Sequence, residues 1–157
     1  MSRKSTLRGE LIAALAAVLD TARAAHAAAV EGATHGEARA ENDKDTRGLE
    51  QSYLARGQAQ RVEELTVALA ATEAMEWRRF TARDPIAVSA LVTVDEDGET
   101  HQLLIAPHGG GVVLSGEIQV VTPRSPLGRA LVGRVVGDEI EVRLPGAVRE
   151  LEITAIE

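Results

Sequence analysis

The hydrophobic period of this chain changes once, and that change limits what it can fold into. As far as residue 72, apolar residues recur at three- and four-residue spacing, which lines one face of a helix. From Pro85 onward they recur at every second position, which lines one face of a strand. A helical front half followed by a β-rich back half makes an α+β chain.

In the front half, Leu7, Leu11, Ala14, Leu15, Val18, Ala22, Ala25 and Ala29 form a single stripe, predicting a helix over residues 4–30. Glu31-Gly32-Ala33-Thr34 is expected to break it. Thr34 and Glu37 then match a capping box, in which hydroxyl and carboxylate satisfy the free amides of a new helix start. A second helix is expected from about His35 to Thr72, with Leu49, Tyr53, Val62, Leu65 and Leu69 on its apolar side. Gly48 and Gly57 interrupt it, each costing about 1 kcal/mol against alanine. Two long helices joined by a few residues are antiparallel neighbours, so residues 4–72 read as a hairpin rod about 40 Å long. Alanine supplies much of its apolar content, and small side chains bury little surface at about 25 cal/mol per Å². Thin, closely packed helices suit that composition.

The back half begins with a transition, Met75 to Arg83, holding Trp77 and Phe80, two of the three aromatic residues of the chain. These rings are expected to cover the joint between rod and sheet. A stacking role for Trp77 would need a basic groove beside it, and the neighbouring arginines alone do not make one. Strands are expected at 86–94, 101–106, 112–114, 118–121, 139–144 and 148–156, with Asp97-Gly98 and Pro145-Gly146 as turns. Between the fourth and fifth, Ile118 to Gly146 packs a strand, a proline-bounded turn, a short helix and a Gly-Asp turn into under thirty residues. The sum is a small antiparallel sheet with one short helix on a face. The expected domains are 1–76 and 77–157.

Charge and composition exclude several classes of function. The net charge of −7 opposes non-specific binding to a phosphate backbone, which depends on Lys and Arg. It favours a basic protein surface, a divalent cation or plain solubility. No cysteine is present, so there is neither a disulfide framework nor a thiolate zinc site. The N-terminus starts basic and turns apolar, but Glu10 and Asp20 and its helical periodicity argue against a signal peptide. No uninterrupted run of 18 apolar residues occurs, so no membrane span is expected, and the natural location is the cytoplasm.

Candidate chemistry is sparse. His101 and His108 flank a Gly-rich loop without a third metal ligand at hand, and Gly109-Gly110-Gly111 lacks the strand, lysine and helix of a phosphate loop. Ser125, before a proline, reads as a turn or cap residue. The acids remain. Glu31, Glu37 and Glu41 cluster near the expected hairpin tip, with Glu37 and Glu41 one helical turn apart on one face. Carboxylates are hard ligands suited to Mg²⁺, so a projecting rod could lend them to a metal held elsewhere, as in two-metal phosphodiester hydrolysis.

The segment Thr122 to Gly146, TPRSPLGRALVGRVVGDEIEVRLPG, resembles the corresponding segment of the bacterial Gre transcript-cleavage factors, GreA and GreB. The resemblance continues to the chain end and, more weakly, back to the strands after Pro85. It implies an N-terminal antiparallel coiled coil followed by an FKBP-like C-terminal domain, and RNA polymerase as the partner. Ser125, Pro126 and Leu127 match the segment that implies docking at the rim of the polymerase secondary channel. Gly128, Leu131 and Gly133 match structural positions. At the tip, family members typically read Gly-Asp-Leu-x-Glu-Asn-x-Glu-Tyr, and here Glu41-Asn42 alone matches.

The function this implies is modulation of elongation, with Glu37 and Glu41 acting in trans during cleavage of backtracked RNA. Glu31, Glu37 and Glu41 would then meet a Mg²⁺ shared with the polymerase, and the chain would have no active site or cofactor of its own. A non-cleaving regulator is the alternative. The expected protein is a monomer that neither reads nucleic-acid sequence by itself nor enters a membrane. An FKBP-like prolyl isomerase or chaperone is the rival from another class, weakened because no aromatic residue follows Phe80 to line a pocket. A self-associating adaptor is a further rival.

Overall fold

A computed structural model describes residues 2–39 and 45–157, the side chains of 34–39 and 45–47 excepted. The chain divides into two compact units, Met1–Ala14 with Ala71–Glu157, and Leu15–Ala70.

The second unit is a pair of helices, α1 (Arg3–Arg39) and α2 (Asp45–Ala74), whose first and last residues respectively belong to the other unit. The break expected at 31–34 is absent, and the Thr34–Glu37 capping box falls inside α1 rather than at a helix start. The physical reason is that one glycine among good helix formers costs only about 1 kcal/mol, and a helix already nucleated propagates through it. Gly32 also lies against α2, where a Cβ would meet the Gln51 side chain at 3.5 Å. Leu19 and Ala22 of α1 pack with Val62, Leu65 and Leu69 of α2. Higher positions on α1 thus meet lower positions on α2, and the helices run antiparallel.

The seam of α2 departs from the expected stripe. Val62, Leu65 and Leu69 pack, but Leu49 and Tyr53 are exposed at 51% and 61%. Continuing the three–four rhythm back from Val62 reaches Gln58, Ala55, Gln51 and Gly48, all half-buried. Polar and small residues occupy the seam there, so the larger side chains beside them face outward. Gln51 Oε1 is buried with no partner among the described residues.

By length and composition Arg3–Ala33 could also cross a bilayer, which revises the exclusion drawn from the sequence. Its apolarity is largely alanine, and Leu7, Leu11, Leu15 and Leu19 are all buried within the fold.

The first unit is built on a six-stranded sheet, β1 (Leu91–Glu96), β2 (Glu99–Ile105), β3 (Val113–Leu114), β4 (Ile118–Val121), β5 (Glu139–Leu144) and β6 (Ala147–Ile156). Its order is β3-β4-β2-β1-β6-β5. The sheet is mixed rather than antiparallel, because β2 and β4 run parallel. After β2 the chain first forms β3, then a single 3-10 turn at Ser115–Glu117 reverses it into β4. Strand β4 therefore arrives beside β2 in the same direction. The β1–β2 hairpin closes on Asp97 and Gly98 at φ +54° and +85°, a turn that glycine enters without strain.

Residues 86–90, expected to open the first strand, do not join it. Ile86 instead exchanges backbone hydrogen bonds with Gly133 and Arg134, and a turn from Ala87 to Ala90 leads into β1. One core of fifteen buried residues, including Phe80, Ile86, Val92, Ile105, Leu127, Leu131 and Ile153, underlies the sheet and the helix α3 (Pro126–Leu131).

The opening of α1 joins this unit through polar contacts. The Glu10 carboxylate accepts from Ser115 N at 2.9 Å and Ser115 Oγ at 2.7 Å. Arg8 donates to the carbonyl of Glu73 at 2.8 Å, and Arg3 bonds Gln102.

Candidate functional site

The motif-bearing turn, Thr122 to Gly133, is organised by one carbonyl. Thr122 O accepts from Ser125 N at 3.1 Å and from Ser125 Oγ at 2.8 Å. The same hydroxyl accepts from Gly128 N at 3.0 Å, so Ser125 is the N-cap of α3. Pro126 follows at the first helical position, where its missing N–H leaves no hydrogen bond unmade. Each residue of Ser125-Pro126 therefore fits its place for a local reason.

The next residues are fixed by space. Leu127 is 9% exposed and belongs to the core, and Leu131 is fully buried. A Cβ at Gly128 would stand 1.8 Å from Thr122 O and 2.7 Å from its carbonyl carbon, both backbone atoms that cannot step aside. Gly133 ends the segment at φ +87°. Thus space restricts Gly128, burial holds Leu131, and a positive φ favours glycine at position 133.

Of the three residues matched to a docking segment, Pro126 is exposed, Ser125 half-buried and Leu127 buried. Arg124, Arg129 and Val132 are exposed around Pro126. A rigid apolar ring with two guanidinium groups nearby is what this turn offers solvent. The sequence reading singled out neither Thr122, whose carbonyl holds the turn, nor the two arginines. The crowding of Gly128 against a residue six positions earlier has no local sequence signal.

The acids are placed less fully. Glu31 lies exposed on α1. Glu37 falls in α1 with its side chain outside the description, and Glu41 lies outside the described residues altogether. Helix α1 continues through residues 31–36, where the sequence reading placed the hairpin turn. No group of three or more His, Asp or Glu among the described residues is arranged to hold a metal ion. His101 sits 4.0 Å from Glu96 and 3.9 Å from Glu99. Glu96 is itself committed to Arg149, whose bidentate hydrogen bonds at 2.6 and 3.1 Å hold its carboxyl below the usual range. That cluster ties β1 to β6 and needs no further role.

Fold and turn together define a class of α+β protein, in which a helical hairpin precedes a mixed sheet carrying one serine-capped helical turn. Residues 82–157, just under half the chain, match the family described as transcription elongation factor, GreA/GreB, C-term. Over that segment the chain is similar to the Gre factors. It is 29% identical over 126 residues to transcription elongation factor GreA of Rhodospirillum rubrum, covering 80% of this chain and 76% of that protein. Against GreA of Mesorhizobium japonicum it is 35% identical over 100 residues, covering 62% of this chain and 60% of that one. The chain thus spans only about three fifths of the length of several of these relatives. Among solved structures, GreA factor homolog 1 of Thermus thermophilus aligns over 93% of this chain and 94% of its own, at 18% identity and a TM-score of 0.41.

Proposed function

We propose that this chain is a Gre-like elongation factor that binds RNA polymerase at the secondary channel and modulates elongation. The observation that carries this reading is the match of residues 82–157 to the Gre C-terminal domain. In this reading the exposed Pro126, flanked by Arg124 and Arg129, is the docking surface. Ser125 and Leu127 contribute by holding the proline in place. The acids Glu31, Glu37 and Glu41 are the candidate Mg²⁺ ligands at the polymerase active site, with hydrolysis belonging to the polymerase and not to this chain. The factor works as a cytoplasmic monomer and does not read nucleic-acid sequence.

The docking claim is tested by Pro126→Arg. Its exposed position lets a larger side chain project outward, so the variant should fold and lose co-migration with core polymerase. Normal co-migration removes Pro126 from the interface.

A second reading, a regulator that occupies the channel without stimulating cleavage, is favoured by the tip, where Glu41-Asn42 alone matches the family pattern. Adding the protein to a stalled, backtracked elongation complex separates the two. Short 3′ RNA fragments that disappear in the Glu37→Ala/Glu41→Ala double variant support donated acids. Binding without fragments supports the regulator.

A further inference from the structure

The sheet unit holds a cavity of about 430 Å³ between the first two turns of α1 and the Trp77–Phe80 segment. Four cations line it, Lys4, Arg8, Arg78 and Arg79, against one acidic residue, Glu157. Such a concentration runs against the chain as a whole, whose net charge is −7. The basic groove that Trp77 lacked in the sequence is assembled here by bringing two N-terminal cations beside two arginines seventy or more positions later.

These cations are positioned without being neutralised. Lys4 Nζ donates to the Arg78 carbonyl at 2.7 Å, and Arg8 donates to the Glu73 carbonyl at 2.8 Å. Lys4 Nζ and the Arg78 guanidinium both lie 4.7 Å from the Phe80 ring centre. Carbonyls and a ring face orient a cation but leave most of its charge unbalanced. Among the described residues no salt bridge joins Arg8, Arg78 or Arg79 to a carboxylate, and Glu157 lies 4.0 Å from Arg3. Ser2 and Ser5, at the start of a 37-residue helix that carries no acid in its first turn, also line the cavity. Trp77, also on its wall, buries its indole Nε1 without an acceptor among the described residues.

Burial of Lys4 lowers its pKa from 10.5 to about 8, with Glu157 opposing the shift and Arg78 adding to it. The fold thus holds a cation at this spot at a cost that a bound anion would relieve.

We propose that this cavity binds a small phosphate compound, its phosphoryl oxygens held by Arg8, Arg78, Arg79 and Lys4 beside the α1 terminus. A phosphoryl group fits better than a lone carboxylate for two reasons. Its two or three charges match the excess of cations, and its oxygens present several edges to guanidinium forks at once. The volume lies within the range of small-molecule sites. The proposal concerns this unit alone and does not depend on polymerase binding.

Inorganic pyrophosphate is the probe, titrated calorimetrically into the full chain in phosphate-free buffer at near-physiological salt, with citrate as a non-phosphate polyanion of similar charge. The expected result is saturable one-to-one binding with Kd below roughly 1 mM, and citrate weaker by about tenfold or more. Arg79→Gln, at an exposed residue, should weaken binding about tenfold and leave the unfolding temperature unchanged. Arg8→Gln should do the same even if it lowers that temperature through the lost Glu73 contact. Three results overturn the proposal: no saturable heat, citrate binding as tightly as pyrophosphate, or both variants binding like the parent chain. Tighter binding by a short RNA oligonucleotide that displaces pyrophosphate also overturns it, since the phosphate then comes from a polynucleotide.

Discussion

The two units of this chain bury their residues by different rules, and their glycines show it. In the sheet unit, fifteen buried residues close one continuous core, and Gly128 sits where any Cβ would enter a backbone carbonyl. In the hairpin unit, the cluster around Leu19, Ala22 and Leu65 has three buried members. Among the described residues, Gly48 and Gly57 of α2 there have nothing within 4 Å of a Cβ position. One glycine is demanded by packing; the other two are merely tolerated by a helix. A sheet closed around a full core fixes each position, whereas a two-helix seam filled with Gln51, Ala55 and Gln58 fixes few.

The strongest way to break that contrast is a matched pair of substitutions. Gly128→Ala should destabilise the sheet unit by about 3 kcal/mol or more, since neither the Thr122 carbonyl nor the helix start can retreat cheaply. Gly57→Ala should stabilise the hairpin by roughly 0.5–1 kcal/mol, the ordinary gain of replacing a helical glycine. Urea unfolding followed by circular dichroism reads both, and equal signs would erase the distinction.

Leu131→Ala, at a fully buried site, should cost about 3–5 kcal/mol, and Leu65→Ala in the thin seam about 2 kcal/mol. Amide exchange sharpens the same point without a mutation. Amides of α2 within the hairpin unit should open at lower free energy than those of β1, β2 and β6. Uniform protection would mean that the small seam is as strong as the core.

Smaller effects test the polar contacts. Ser125→Ala removes the α3 cap and should cost about 1 kcal/mol. Arg149→Ala should cost about 0.5–1 kcal/mol at neutral pH. Because Arg149 holds the Glu96 pKa below 4.5, that difference should vanish as pH falls through the lowered value.

Lys4 acts in the same direction at higher pH, although here the fold disfavours the charged form. Its pKa is about 8 in the fold against 10.5, so between those values the unfolded chain binds a proton that the folded chain does not. Stability should therefore rise with pH across that window, and Lys4→Met should flatten the rise. A stability curve unaffected by Lys4→Met would mean that burial does not perturb this lysine.

Most of the architecture was legible because it depends on local periodicity. The change of period at Pro85 separated helices from strands, and 118–121 and 139–144 matched β4 and β5 to the residue. The turn at Asp97-Gly98 was legible because few other dipeptides accept two successive positive φ values. What failed were features decided by partners. Gly32 looked like a helix end, yet a nucleated helix ran through it to Arg39. Leu49 and Tyr53 looked buried, yet the seam set by Val62 and Leu65 runs through Gly48, Gln51 and Ala55 and misses both. Residues 86–90 alternate like a strand, yet Ile86 bonds the backbone at 133–134 instead of the sheet.

The candidate sites divide along the same line. The motif at Ser125-Pro126-Leu127-Gly128 could be found from sequence, since a cap, a proline and a glycine at fixed spacing carry their own local reasons. Which of them faces a partner could not, because exposure is set by the core that claims Leu127 and leaves Pro126 outside. The basic cavity was beyond any local reading, since Lys4 and Arg8 meet Arg78 and Arg79 only after the chain has folded. By itself the sequence determined the element types, the capped turn and the resemblance carried by the C-terminal motif, all of which reside in short-range pattern. The tertiary structure alone decided the parallel β2–β4 pair, the crowding that makes Gly128 obligatory and the gathering of four cations, because each depends on residues far apart in the chain.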